Sequence, residues 1–160
     1  MKKVLTVMVL GVFISALFAS CSSKKTTTIT MDPDTIVSIA ISGYPIIFAN
    51  GDSIDSTTDI SKITELTSAF NKLTLEYYKS KEDWDKISTS TTGSQKAILT
   101  FYNAEKKCVE RISRISNSEG SFILKYIDND IYVASEKDYN ALNSIFDTLL
   151  KEAEDGRLNN

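Results

Sequence analysis

The chain has 160 residues, room for one domain and little else. It is 42% hydrophobic and 24% charged with two prolines, the make-up of a globular protein and not of a disordered one. A net charge of −3 gives no general attraction for phosphate backbones, so no nucleic-acid partner is expected. There is no histidine, which removes the commonest general base, the commonest zinc ligand and the usual switch at neutral pH.

The first twenty residues read as an address. Met1-Lys2-Lys3 is positive, and Val4 to Phe18 is an apolar run interrupted by Thr6, Gly11 and Ser15. A membrane-spanning helix needs about 20 apolar residues, and this run is shorter, as the core of a secretory signal is. It ends in Leu17-Phe18-Ala19-Ser20-Cys21. Here the chain resembles the bacterial lipoproteins, whose lipobox is a branched apolar residue, two small residues and an obligatory cysteine. Ala19, Ser20 and Cys21 match, whereas Phe18 stands where leucine is usual and Leu17 lies one place early. The resemblance implies cleavage between Ser20 and Cys21 and attachment of fatty acids, palmitate among them, to Cys21. It also implies a lipid anchor in the cell membrane at its extracytoplasmic face. Cleavage takes Lys2 and Lys3 away, leaving 16 of the 18 basic residues against all 21 acidic ones.

After the anchor, residues 21–34 read as a lipidated N-terminus and flexible tether. Ser22 to Thr30 is polar and without periodicity, the alternative being a frayed first strand, since threonine and isoleucine favour strands. A single globular domain is expected over 35–156, with 157–160 as a tail.

Thr35 to Ser42 is apolar and β-branched, with Val37, Ile39 and Ile41 on one face, and predicts a strand. Gly43-Tyr44-Pro45 breaks it, Ile46 to Ala49 resumes it, and Asn50-Gly51 is a two-residue hairpin signal. Asp59 is placed to cap a helix whose apolar positions are Ile60, Ile63, Leu66, Ala69, Phe70 and Leu73. Alternation over Leu73 to Tyr78 predicts a strand, and residues 79–95 read as the longest loop. Then comes an antiparallel meander over Lys96–Asn103, Cys108–Ser116, Ser121–Ile127 and Ile131–Ala134. Ser135 begins a capping box with Asp138, and the final helix carries Tyr139, Leu142, Ile145, Phe146, Leu149, Leu150 and Ala153 on one face before Gly156. The sum is an α+β, two-layer fold: a mostly antiparallel sheet of five to seven strands with two amphipathic helices on one face. In element order and texture residues 35–152 look like small exported lipoproteins of unassigned function from low-GC Gram-positive bacteria, a resemblance that transfers no active residue.

Candidate sites are few. Cys108, after Lys106-Lys107, reads as a semi-buried strand thiol. Asp32, Asp34, Asp52, Asp55 and Asp59 read as turn and cap residues, and Asp52-Ser53-Ile54-Asp55 lacks the ligand spacing of an EF-hand. No nucleophile elbow and no glycine-rich phosphate loop occurs. No cofactor or metal is therefore expected. Tyr77, Tyr78 and Trp84 border the polar stretch and form a candidate surface for an envelope protein or a glycan, the alternative being cover for the sheet edge. The function expected is a membrane-anchored, non-enzymatic binding or interaction module. The alternatives are a cell-envelope hydrolase using two carboxylates, which would face each other in a cleft, and a structural envelope component.

Overall fold

The computed structural model describes residues 25–44, 54–88, 95–117 and 120–158. The signal segment, Cys21, Ile46 to Ala49, Asn50-Gly51 and Asp52 lie outside them.

Eight strands make one sheet: β1 (Thr26–Thr28), β2 (Ser38–Tyr44), β3 (Ile54–Thr57), β4 (Thr74–Ser80), β5 (Gln95–Tyr102), β6 (Cys108–Asn117), β7 (Gly120–Ile127) and β8 (Asp130–Ala134). Their order is β1-β4-β8-β7-β6-β5-β2-β3, and every pair is antiparallel. The expected meander is the centre of this sheet. Eight is one more than the five to seven expected, and the strands that the sequence pattern did not mark are the two edges, β1 and β3, of 3 and 4 residues. Strands so short carry little alternation to read, and as edges they offer little unpaired backbone to another chain.

Three helices complete the fold: α1 (Ile60–Phe70), α2 (Lys81–Ser88) and α3 (Glu136–Glu154). Both predicted caps are present. Asp59 accepts from the backbone N–H of Ser61 at 2.8 Å, and Ser135 accepts from that of Asp138 at 3.3 Å. Gly156, at φ 68°, supplies the left-handed residue that ends α3.

Alternation along each strand sorts the side chains to two faces. On one, Leu75, Leu99, Phe101, Ile112, Ile123 and Tyr132 meet Ile63, Leu66 and Phe70 of α1 and Leu142, Phe146 and Leu149 of α3. Phe70 and Phe101 touch edge to face, with ring centroids 5.7 Å apart. Ile60, read as part of the apolar stripe, is 79% exposed, because the stripe begins one turn later at Ile63.

The opposite face holds the first correction. Residues 79–95 are not simply a loop: Lys79 and Ser80 extend β4, and Lys81–Ser88 form α2. Its Trp84 packs with Ile115, Leu124 and Ile131, residues that alternate with those facing α1 and α3. The expected helix-on-one-face, two-layer arrangement thus becomes a sheet with α1 and α3 on one side and α2 on part of the other.

The second correction concerns Lys25 to Asp34, expected to belong to a tether. Thr26, Thr27 and Thr28 pair with Glu76, Leu75 and Thr74, and Ile29 and Met31 are 1% and 4% exposed in the main core. A short 3-10 turn, Pro33–Thr35, capped by Asp32, leads on to β2.

The register also fixes which parts share an end of the sheet. The Ser80–Lys81 junction, the Asp128-Asn129 turn and the Asn103–Lys107 turn lie at one end, while Lys25, opposite Tyr77, lies at mid-height. Thr28, Thr74, Ala134 and the start of β7 lie at the other.

Candidate binding surfaces

The three aromatic residues singled out from the sequence do not form one surface. Tyr77 points to the α1/α3 side, where it meets Tyr132 edge to face at 5.9 Å, and it is 41% exposed. Lys25 places its ammonium 5.7 Å from the Tyr77 ring and 5.5 Å from the Tyr132 ring. Its pKa is raised, first by a hydrogen bond to Asp130 and then by one to Tyr132. Tyr78 is on the other side of the sheet, half-buried against Trp84 and Phe122.

Trp84 is 1% exposed and cannot stack on a ligand from where it sits. The register shift in β4 between Tyr77 and Lys79 accompanies this arrangement. Lys79 then lies over the Tyr78 ring, 4.3 Å from its centroid. Tyr126 borders the same cluster, and burial pushes its phenol up despite a hydrogen bond with Trp84.

Several carboxylates are engaged by their surroundings. Asp32 and Asp59 cap their turns, and Asp55 accepts from Ser56 N–H at 2.8 Å. Glu110 pairs with Lys125, Asp147 with Arg114, and Asp130 with Lys25. Asp83 is held below its ordinary range, first by the Ser80 hydroxyl and then by Lys86. Among the described residues no group of acids, cysteines or histidines could hold a metal ion.

A groove of about 170 Å³ between α1 and α3 has two acids, Glu65 and Glu152, in its wall. Lys62 occupies it, bonded to Glu152 at 2.9 Å and to the Leu158 carbonyl at 3.0 Å. Cys108 is exposed at the start of β6, not semi-buried, because β6 begins only there and its first residue projects beyond the packed core.

A cavity of a different kind opens at the far end of the sheet. The β7–β8 ladder reaches Leu124↔Val133, so Ser121 and Phe122 run past it just where Ser135 turns the chain into α3. The gap between the overhanging strand and the first turns of α3 is about 430 Å³. Phe122, Ile123, Val133 and Tyr139 line it with apolar surface, and Ser121, Glu136 and Asn140 add polar groups. A mostly apolar concavity with a few polar groups is the usual form of a small-ligand site. Chain pattern could not reveal it, because it arises from a difference in length between two paired strands. A second opening of about 420 Å³ is lined by polar residues, Ser80, Lys81, Glu82, Asp85 and Asn129, the acids Glu82 and Asp85 among them.

No helix among the described residues is long and apolar enough to cross a membrane. No known family, curated protein or solved structure matches the chain.

Proposed function

We propose that the chain is a lipid-anchored extracytoplasmic lipoprotein whose domain works by binding, not by catalysis. The anchor rests on the resemblance of Leu17 to Cys21 to a lipobox, and in this reading the protein is held at the extracytoplasmic face of the cell membrane. The observation that carries the choice of binding over hydrolysis is the state of the carboxylates. Asp32 and Asp59 serve as caps, Glu110, Asp147 and Glu152 lie against cations, and Asp83 is shifted downward, whereas a general acid is shifted upward.

The binding site in this reading is the groove between the β7 overhang and α3. Its volume suits a small ligand or the tip of a protein or glycan partner. Asn140 is exposed at its mouth, so Asn140→Trp fills the groove from outside and leaves the core untouched. Native mass spectrometry of the detergent-solubilised protein, together with cross-linking in intact cells, provides the test. The native chain retains an adduct or partner that Asn140→Trp loses. Equal retention by both rules out this groove.

A further inference from the structure

We infer that the groove between β7 and α3 selects an organic cation, an ammonium group carried on an apolar body. This rests on the groove being the binding site and adds the chemistry of its ligand. The volume of about 430 Å³ lies in the lower part of the range for small-molecule sites, about 300–1,000 Å³.

Among the described residues that line the groove, Glu136 is the one charged group. Glu136, Tyr139 and Asn140 stand at i, i+3 and i+4 on the first turns of α3, so they share one side of the helix. Lys137 is one residue on, about 100° round the helix, and does not line the groove. On the strand side one cation stands near, Arg114, which pairs with Ile123 across β6 and β7. Its guanidinium is engaged by Asp147 and by Asn143 Oδ1 at 3.1 Å, so its charge is met within the fold. A ligand entering the groove therefore faces one exposed carboxylate, with no opposite charge in the described walls.

The same walls carry two aromatic rings, Phe122 and Tyr139. Phe122 is set by contacts behind it, its ring centroid 5.2 Å from that of Tyr78 and 5.6 Å from that of Trp84. Tyr139 packs against the main core on the α3 side. An aromatic ring attracts a cation over its face, and Ile123 and Val133 offer surface to hydrocarbon. A neutral apolar ligand gains the hydrocarbon contacts alone, and an anion is repelled by Glu136. An ammonium on an apolar body gains from the rings and the carboxylate together.

Probes of matched shape test this: phenethylammonium, phenethyl alcohol and hydrocinnamate, which are a cation, a neutral molecule and an anion. Each is titrated into the isotope-labelled full chain as isolated from cells, and amide shifts at Ser121 to Ile123 and Ala134 to Asn140 report occupancy. The ammonium binds about fivefold or more tightly than the alcohol, and the carboxylate binds more weakly than either. Added salt narrows the margin, since Glu136 is exposed. Glu136→Gln brings the ammonium and the alcohol to equal affinity with the urea midpoint unchanged, and Asn140→Trp abolishes binding of both. An alcohol or carboxylate that binds the native chain as tightly as the ammonium overturns the charge selection alone. A preference that persists in Glu136→Gln overturns the role of that carboxylate. Shifts that fall elsewhere, binding that survives Asn140→Trp, or no binding of any probe overturns the groove and its ligand class together.

Discussion

Asn71 grips the backbone of Met31 with both halves of its amide, accepting from Met31 N–H at 2.7 Å and donating to Met31 C=O at 2.6 Å. A side chain just past the end of α1 thus stands in for a neighbouring strand and holds the N-terminal stretch in the core.

Asn71→Ala removes both bonds and leaves two part-buried backbone groups unpaired, a loss of about 1–3 kcal/mol in urea unfolding. Asn71→Asp keeps the acceptor but sets a carboxylate oxygen against the Met31 carbonyl, so it destabilises as well. Faster amide exchange at Ile29 and Met31 than in β5 and β6 accompanies both. A variant as stable as the native chain contradicts this role for Asn71.

Trp84 to alanine empties the centre of the cluster formed with Ile115, Leu124 and Ile131. The expected cost is about 3–5 kcal/mol, and Trp84→Phe costs less because an aromatic ring still meets Phe122. Chemical denaturation measures both. If α2 were only a surface flap, Trp84→Ala would shift the midpoint hardly at all.

What could be read from sequence follows from period and length. The meander and α1 and α3 each repeat their pattern several times, so Leu99 and Phe101, or Phe146 and Leu150, announce their faces. β1 and β3 are too short to repeat anything, and Thr26 to Thr28 are as polar as a linker. α2 presents one large apolar residue among charges, so its stripe was invisible. Its start was nonetheless written: Ser80 accepts from Asp83 N–H at 3.2 Å and donates to its carboxylate at 2.9 Å, the same device as Ser135 with Asp138. Sequence leaves Trp84 open between cover for the sheet and an exposed contact, because one large residue in a polar stretch looks alike for both. The groove beside Tyr139 depends on strand register, which pattern does not give.

Asp83 makes the start of α2 sensitive to acid. Its folded pKa lies below the ordinary 3.8, so its contribution is complete above that value and fades as pH falls through the lower folded one. Trp84 fluorescence followed downward from neutral pH registers the change. Asp83→Asn removes this limb of the titration while leaving the unfolding at lower pH caused by other carboxylates. An identical profile in Asp83→Asn contradicts the assignment.

Glu110 and Lys125 pair across β6 and β7 with side chains 10% and 18% exposed, on the face covered by α1 and α3. Breaking a fully buried pair costs about 3–5 kcal/mol, and partial exposure lowers the figure for Glu110→Gln to about 1–3 kcal/mol. The double replacement Glu110→Leu with Lys125→Met recovers most of the loss, since neither charge is then left alone. Additive losses in the double variant contradict a direct pair.

The proposed membrane anchor depends on the chemistry of Cys21. Mass spectrometry of the N-terminal peptide from the membrane fraction measures it directly. The predicted result is a chain that begins at Cys21 and carries a diacylglycerol on its sulfur. An intact leader, or a chain cut elsewhere with a free thiol at Cys21, contradicts it.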